Sequence, residues 1–313
     1  MTQTSKTNTA NSVLIVGSIA LDTVKTPFGE VEDVLGGTAV YSSVAASYFA
    51  PTRVVGVVGQ DFPEKHVRFL ASRGIDLTGL QFMPGKTFRW KGYYEFDLNQ
   101  AHTIDTRLNV FEHFVPDLPE TYQDSKYVFL GNIGPELQLR VLEQVRSSKL
   151  TVCDTMNYWI ENAKDTLLEV LKRVDIAFMN DAEARQLCGT FSLIKAARQI
   201  RELGPRVVVI KKGEHGALMV SDGSYFVAPS YPLEEVVDPT GAGDSFAGGF
   251  IGYLASTDDI SEPNLRKATI FGSTLASYNV QDFSLSRLAS LTHQEIMERY
   301  CEFRHIAHFE AHE

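Results

Sequence analysis

Cysteine is scarce in this chain. The three present, Cys153, Cys188 and Cys301, are odd in number and far apart. That pattern excludes a disulfide framework and a zinc site built from paired thiols, and it suits a reducing compartment. Basic charge is in deficit: 29 Lys and Arg stand against 39 Asp and Glu, a net charge of −10. Such a chain is a poor bulk attractor for nucleic acid or an anionic membrane, so neither is expected as a partner, although a local pocket for a small anion stays open. No apolar run reaches membrane length, and the longest, about Phe246 to Ala255, is broken by glycine. Met1 to Ser12 is polar and has no apolar signal core, which makes a cytoplasmic location the expectation. No G-x-x-x-x-G-K-S/T occurs and no G-x-G-x-x-G follows a strand, so the common P-loop and dinucleotide readings lack their motifs. What is present is ordinary globular material: 44% hydrophobic and 22% charged residues over 313 positions, enough for a full core in one large domain with an appendage, or two domains.

Residues 1–12 read as a loose, flexible tail, and 13–313 as an α/β domain. Val13-Leu-Ile-Val-Gly17 is a short apolar run with the look of a buried strand. Similar runs recur at Arg53 to Val58, Tyr127 to Leu130, Leu150 to Cys153, Val174 to Met179 and Val207 to Ile210. Lys65 to Arg73, Leu137 to Arg146, Lys164 to Arg173 and Ser192 to Leu203 carry apolar residues at helical spacing. Buried strands alternating with amphipathic helices predict a mostly parallel sheet that binds ligands at the carboxyl ends of its strands. Two segments, about 20–37 and 84–115, break the rhythm. From Thr87 to Phe96 the residues alternate, with Phe88, Trp90, Tyr94 and Phe96 on one face and Arg89, Lys91, Tyr93 and Glu95 on the other. Arg107 to Phe111 could supply a second strand. These segments predict a small inserted β-sheet. Its aromatic face needs cover from ligand, from the main domain or from a second copy, which would make the chain a homodimer through this sheet.

Chemistry concentrates between Val236 and Leu254. Pro239 and Gly241 interrupt regular structure, and Ser245 to Leu254 is small and apolar, fit for a buried helix. Thr240-Gly-Ala-Gly243 therefore falls at a helix N-terminus. Unpaired N–H groups and the helix dipole favour an anion there, and glycine lets a phosphate approach the backbone. Asp244 could cap this helix or take the proton of a hydroxyl that attacks a phosphoryl group. Residue types alone leave both roles open.

Asp238-Pro-Thr-Gly-Ala-Gly-Asp-Ser-Phe-Ala-Gly-Gly-Phe250 resembles the C-terminal signature of the PfkB/ribokinase-type carbohydrate kinase family. Gly36-Gly37 ahead of a small-residue helix resembles the family's N-terminal glycine motif. Gly56-Val-Val-Gly59 with Asp61 resembles its second strand and turn, Asn180-Asp-Ala-Glu183 its N-x-x-E motif, and Lys211-Lys-Gly213-Glu-His-Gly216 its glycine turn at the nucleotide. The resemblance covers about residues 13 to 290. It implies a ribokinase-like three-layer α/β sandwich with a mostly parallel central sheet, the inserted sheet acting as a lid over the sugar. It also implies ATP-dependent phosphorylation of a hydroxyl on a small sugar or polyol.

On this resemblance Asp244 would be the general base, and Gly241, Ala242 and Gly243 the anion hole. Asn180 and Glu183 would organise Mg²⁺ near the ATP phosphates, Glu183 through water. Taken alone, these two would be a strand-end cap and a solvated helix carboxylate. Asp22 would accept hydrogen bonds from sugar hydroxyls, with Gly36, Gly37 and Thr38 close to the substrate and the glycines as a hinge. Lys211, Gly213 and Gly216 would touch the nucleotide, and Ser273 would flank its base. Asn132, Asp154 and Asn157 would line the cleft from strand ends. Arg89 could read an anionic or ring-bearing substrate. Asp238 and Thr240 resemble the start of a monovalent-cation site, which would hold K⁺.

The chain departs from the family in two places. Tyr41 stands where Asn closes G-G-x-x-x-N, which points away from ribose and ordinary hexoses and keeps nucleoside and inositol acceptors in view. A nucleoside would want an aromatic slot formed with Tyr41, Phe88 or Trp90. Asn279-Val-Gln-Asp-Phe-Ser284 replaces the usual Gly-Ala loop, which leaves the second half of the cation site unmatched. A third reading is a non-catalytic ligand-binding regulator on a kinase fold, against which the intact 241–244 and Asn180/Glu183 sets argue. His305, His308 and His312 have no Cys partner and read as a solvated helix end, not a metal site.

Overall fold

Strands form where β-branched and apolar residues run together, and helices where the apolar period is 3.6. The computed structural model describes residues 11–310, so the tail expected at 1–12 falls almost wholly outside them, as does His312. The strands are, in chain order, β1 (Val13–Val16), β2 (Ala20–Thr26), β3 (Gly29–Gly36), β4 (Thr52–Gly59), β5 (Ile75–Met83), β6 (Phe88–Tyr94), β7 (Ala101–Arg107), β8 (Tyr127–Leu130), β9 (Leu150–Cys153), β10 (Ile176–Asn180), β11 (Val207–Lys211), β12 (Ala217–Ser221) and β13 (Ser224–Ala228). A nine-stranded sheet runs in the order β13-β12-β11-β10-β9-β8-β1-β4-β5. From β5 to β11 all neighbours are parallel, and β12 and β13 complete one edge in antiparallel fashion. Every residue of β1, β8 and β9 is buried, as strands covered on both faces must be.

The two faces carry separate cores. Val13, Ile15, Phe129 and Phe178 pack under the helices Thr38–Ala46, Ala242–Thr257 and Glu262–Asn279. Leu14, Val16, Val128 and Leu130 pack under Pro135–Gln144, Lys164–Leu171 and Leu193–Glu202. The result is the three-layer sandwich that the sequence predicts. Thr38–Ala46 is buried on all sides. Its small residues let Ala242–Thr257 cross it closely: a Cβ on Gly248 would lie 2.1 Å from the Ser42 carbonyl oxygen. Among the described residues no helix is long and apolar enough to cross a membrane.

The segments that broke the helical rhythm form a second sheet, β3-β2-β6-β7. β2 pairs parallel with β6, and β3 and β7 flank them antiparallel. Two expectations are corrected here. The partner of β6 is Ala101–Arg107, whereas Asn109–His113 is a 3-10 turn whose Phe111 stacks on Phe88 at 5.4 Å. β7 is a mostly exposed edge strand of polar residues, so its sequence has no apolar alternation to betray it. Phe96 lies beyond the end of β6 and is 91% exposed, so the aromatic face stops at Tyr94.

Candidate active site

The turn ahead of Ala242–Thr257 is built without a side-chain cap. Asp238 Oδ1 accepts from the Thr240 N–H at 2.9 Å, and Gly241 then takes φ +77°, where a side chain would be strained. The Tyr41 ring occupies the space a Cβ there would need, 2.4 Å away. The Ala242 N–H donates to the Pro239 carbonyl at 3.2 Å, which leaves the N–H groups of Gly241 and Gly243 beside it to face an anion. Asp244 is not the cap. It lies inside the helix, and its Oδ1 accepts from the Thr38 hydroxyl, 206 residues away in sequence. Burial pushes the Asp244 carboxyl up to about 6; Thr38 and Lys211 pull it down and Asp154 pushes it up. It is therefore mostly ionised at neutral pH, with a proton affinity suited to a base.

Lys211, at the end of β11, runs alongside. Its ammonium donates to Asp154 Oδ2 at 2.5 Å and sits 3.0 Å from where a Gly243 Cβ would be. Burial alone would lower its pKa, but Asp154, Glu183 and Asp244 together hold it above the usual lysine value. Asn180 and Glu183 form a capping box on the helix Asp181–Cys188. Glu183 Oε2 accepts from the Asn180 N–H at 2.6 Å and Oε1 from its Nδ2 at 2.7 Å. Far from solvated, Glu183 is 5% exposed. Burial and then Asp154 push its carboxyl up to about 7.

The other end of the cleft belongs to the small sheet. Asp22 of β2 lies over Gly36, where a Cβ would be 1.9 Å from its Oδ2. It is 5% exposed, and burial, Asp238 and Asp244 push it up to about 8 against the Gly37 N–H. Gly37 takes φ +94° as the helix N-cap. The Thr240 hydroxyl donates to the Tyr94 phenol at 3.3 Å, which ties β6 to the anion turn. The sequence gives no hint of Tyr94 in this place beyond its position in the aromatic alternation.

The other predicted residues make no hydrogen bond or ion pair with Asp244, Asp22 or Glu183. Arg89 is engaged by Asp61 at 2.8 Å and Asp33 at 3.1 Å, a brace between β6, β3 and the loop after β4. Asn132 Oδ1 accepts from the Trp159 indole at 3.0 Å, and Asn157 pairs with Gln186. Gly213 and Gly216 shape the turn from β11 to β12. Ser273 is buried within the helix Glu262–Asn279. The aromatic slot expected from Tyr41, Phe88 and Trp90 does not form: Tyr41 is 1% exposed against Gly241, Phe88 stacks on Phe111, and Trp90 donates to Thr103. His305 and His308 are exposed at the end of the last helix.

The donor chemistry separates the two cations that the resemblance implies. Asp154 and Glu183 set two buried carboxylates against one ammonium. Their oxygens each accept one hydrogen bond, from Thr155, Lys211 or Asn180, and keep a lone pair for the water of a hydrated divalent ion, whereas K⁺ would need its oxygens directly. The oxygens of Asp238 and Thr240 do not fit K⁺ in the same way. Asp238 Oδ1 and Oδ2 accept from the backbone of Thr240 and Ser284, and Thr240 O accepts from Asn279 Nδ2 at 2.7 Å.

Comparison with known proteins gives the family and the fold. The pfkB family carbohydrate kinase profile matches residues 11–290. The cytidine kinase of Thermococcus kodakarensis is 36% identical over 247 residues, 77% of this chain and 88% of that protein. The nucleoside kinase of Methanothermobacter thermautotrophicus is 28% identical over 252 residues, 79% of this chain and 78% of that protein. The fold superposes on the crystal structure of the Methanocaldococcus jannaschii nucleoside kinase, described as an archaeal member of the ribokinase family. The TM-score is 0.75 at 20% identity, with 93% of this chain and 98% of that one covered.

Proposed function

Because the chain belongs to the pfkB family of carbohydrate kinases, phosphotransferases that pass a phosphoryl group from ATP to a hydroxyl, we propose that it phosphorylates the ribose of a nucleoside, with cytidine the first candidate. The observation that carries phosphoryl transfer is the Asp244 carboxylate at an uncapped helix N-terminus. The acceptor class is supported by likeness to a cytidine kinase and a nucleoside kinase alone; the stacking slot looked for in Tyr41, Phe88 and Trp90 does not form, so the base would be held by other groups.

In this reading Asp22 accepts hydrogen bonds from two sugar hydroxyls and fixes the acceptor against Gly36 and Gly37. Thr38 holds Asp244 by Oδ1, which leaves Oδ2 for the attacking hydroxyl. Asp244 takes that proton as the oxygen bonds to phosphorus. The N–H groups of Gly241 and Gly243 receive the charge that develops on the phosphoryl oxygens, while the Ala242 N–H keeps the turn closed on the Pro239 carbonyl. The Lys211 ammonium adds its charge beside Gly243, kept in place by Asp154. Bound with ATP, Mg²⁺ supplies neutralisation of the phosphate oxygens, and Glu183 and Asn180 would hold it through water. Gly213 and Gly216 would lie along the nucleotide. No step passes through a monovalent cation.

The test is ADP release with MgATP across nucleosides, ribose and inositols, with Asp244→Asn as the blank. Cytidine is expected to give the highest kcat/KM. Asp244-dependent turnover of a free sugar or inositol without any nucleoside would overturn the acceptor class. Tight ATP binding with no turnover at all would overturn the enzyme reading in favour of a regulator.

A further inference from the structure

Beneath the anion turn, the Asp238 carboxylate and the carbonyls of Thr240 and Val280 each already accept hydrogen bonds from the chain. Asp238 is 1% exposed; its Oδ1 accepts from the Thr240 N–H at 2.9 Å and its Oδ2 from the Ser284 N–H at 3.3 Å. The Val280 carbonyl accepts from the N–H groups of Val237 at 2.8 Å and Asp238 at 3.3 Å. The Thr240 carbonyl, which leads directly into Gly241, accepts from Asn279 Nδ2 at 2.7 Å.

Asn279 is the last residue of the helix Glu262–Asn279 and is fully buried. Its orientation is fixed by chemistry, since a carbonyl oxygen can only accept, so the amide nitrogen must face Thr240. The amide oxygen is satisfied in turn by the Ser245 hydroxyl at 3.2 Å, one residue past Asp244. Ser284 adopts φ +54° and donates through its hydroxyl to the Leu35 carbonyl at 2.6 Å, which anchors the loop that supplies the second donor to Asp238. A K⁺ ion would have to exchange its hydration shell for a ring of free oxygens. Here the oxygens of Asp238, Thr240 and Val280 each face at least one N–H donor, with which K⁺ would have to compete.

We propose that Asn279 is a positioning residue that replaces a monovalent cation under the anion turn, so that this chain transfers phosphoryl groups without K⁺. The amide hydrogen puts partial positive charge on the Thr240 carbonyl side of the turn and holds Gly241 in register with Asp244. The proposal rests on the kinase reading for its rate measurements.

The experiment compares initial rates in potassium chloride and in tetramethylammonium chloride, each at about 0.1 M so that ionic strength is matched. Wild-type kcat is expected to agree within about twofold, since there is no site to fill. Asn279→Ala should lose about tenfold or more in kcat in tetramethylammonium by orphaning a buried carbonyl, with nucleotide KM little changed. K⁺ should restore part of that loss by entering the space the amide leaves. Wild-type activation by K⁺ of about tenfold would overturn the proposal. So would a variant equally slow in both salts, which would make Asn279 merely structural. Should Asn279→Ala fail to fold, the wild-type arm decides alone. Should no acceptor turn over, the kinase reading fails separately, and wild-type melting in the two salts then decides. Coincident melting supports the proposal, and a K⁺-specific rise of several degrees, about the effect of a filled cation site, overturns it.

Discussion

The two ends of the cleft are built from different material. The phosphoryl end sits where parallel strands stop, and its charged groups are locked to one another: Lys211 to Asp154, Glu183 to Asn180, Asp244 to Thr38. The acceptor end is a four-stranded sheet with two polar edge strands, held by a handful of ties such as Arg89 to Asp61, Ser284 to Leu35 and Thr240 to Tyr94. The first end must hold a charge distribution in place before the reaction, which needs burial and dense pairing. In the proposed function the second would close over a substrate and release it, which needs weaker contacts. Substitutions at the two ends should therefore act on different kinetic constants.

The largest effect is expected from Asp244→Asn. It should cut kcat by about 10²–10⁴, the usual general-base contribution, with ATP affinity by equilibrium dialysis unchanged. A residual rate above about a tenth of wild type would remove Asp244 as the base. Gly241→Ala comes next. It forces a side chain into φ +77° and into the Tyr41 ring, and should cost kcat about 10²-fold by displacing the anion-hole donors. A large rise in acceptor KM at constant kcat would place Gly241 at the wrong end. Asp22→Asn tests the opposite end. Loss of a charged hydrogen-bond acceptor should raise acceptor KM by about tenfold or more while nucleotide KM stays put.

Proton linkage sharpens the contrast further. The raised Asp244 value means that, if it is the base, it is protonated below about 6 in the empty site, so kcat/KM for ATP should fall as pH drops through that value and level off above it. The Asp22 value is raised to about 8, so in the empty site that carboxyl is largely protonated at neutral pH. Acceptor binding to the ionised form then releases a proton, and acceptor KM should fall as pH rises towards 8. Calorimetry in buffers of different ionisation enthalpy reads that release directly; a single titration governing both kcat/KM for ATP and acceptor KM would mean that the carboxylates act as one unit. The smallest effect belongs to Arg89→Met. Its partly exposed ion pairs are worth about 1 kcal/mol at most, so acceptor KM should move only a few-fold.

The same division governed what could be read from the sequence. Six strands of the large sheet were legible because they are short, apolar and buried, and its helices amphipathic; β5, β12 and β13 at its edges were not read, β5 and β13 because they alternate between buried and exposed residues. The 238–250 segment was legible because one turn requires glycines at fixed spacing. The small sheet was harder. The polar edge strand Ala101–Arg107 carries no pattern to mark it, and Phe96 continues the alternation of β6 past the point where the strand ends. Single residues reach the site from distant elements: Tyr94 by way of the small sheet, Asp154 through its pairing with Lys211, Asn279 from a helix end. Nothing local in those sequences announces their partners. Tyr41 could be seen to depart from the family, but not that its ring would back Gly241 and stay out of the cleft.

The crossing of Thr38–Ala46 with Ala242–Thr257 sets a problem for synthesis. The earlier helix is buried on every side in the finished protein. Yet the residues meant to cover it, like the carboxylate that Thr38 grips, lie 206 positions downstream. At about 5–20 residues per second, a ribosome leaves that apolar segment waiting on the order of 10–40 s for its partner. A nascent chain stalled before residue 242 should be cut by protease around residues 38–46 and protected once the later helix emerges.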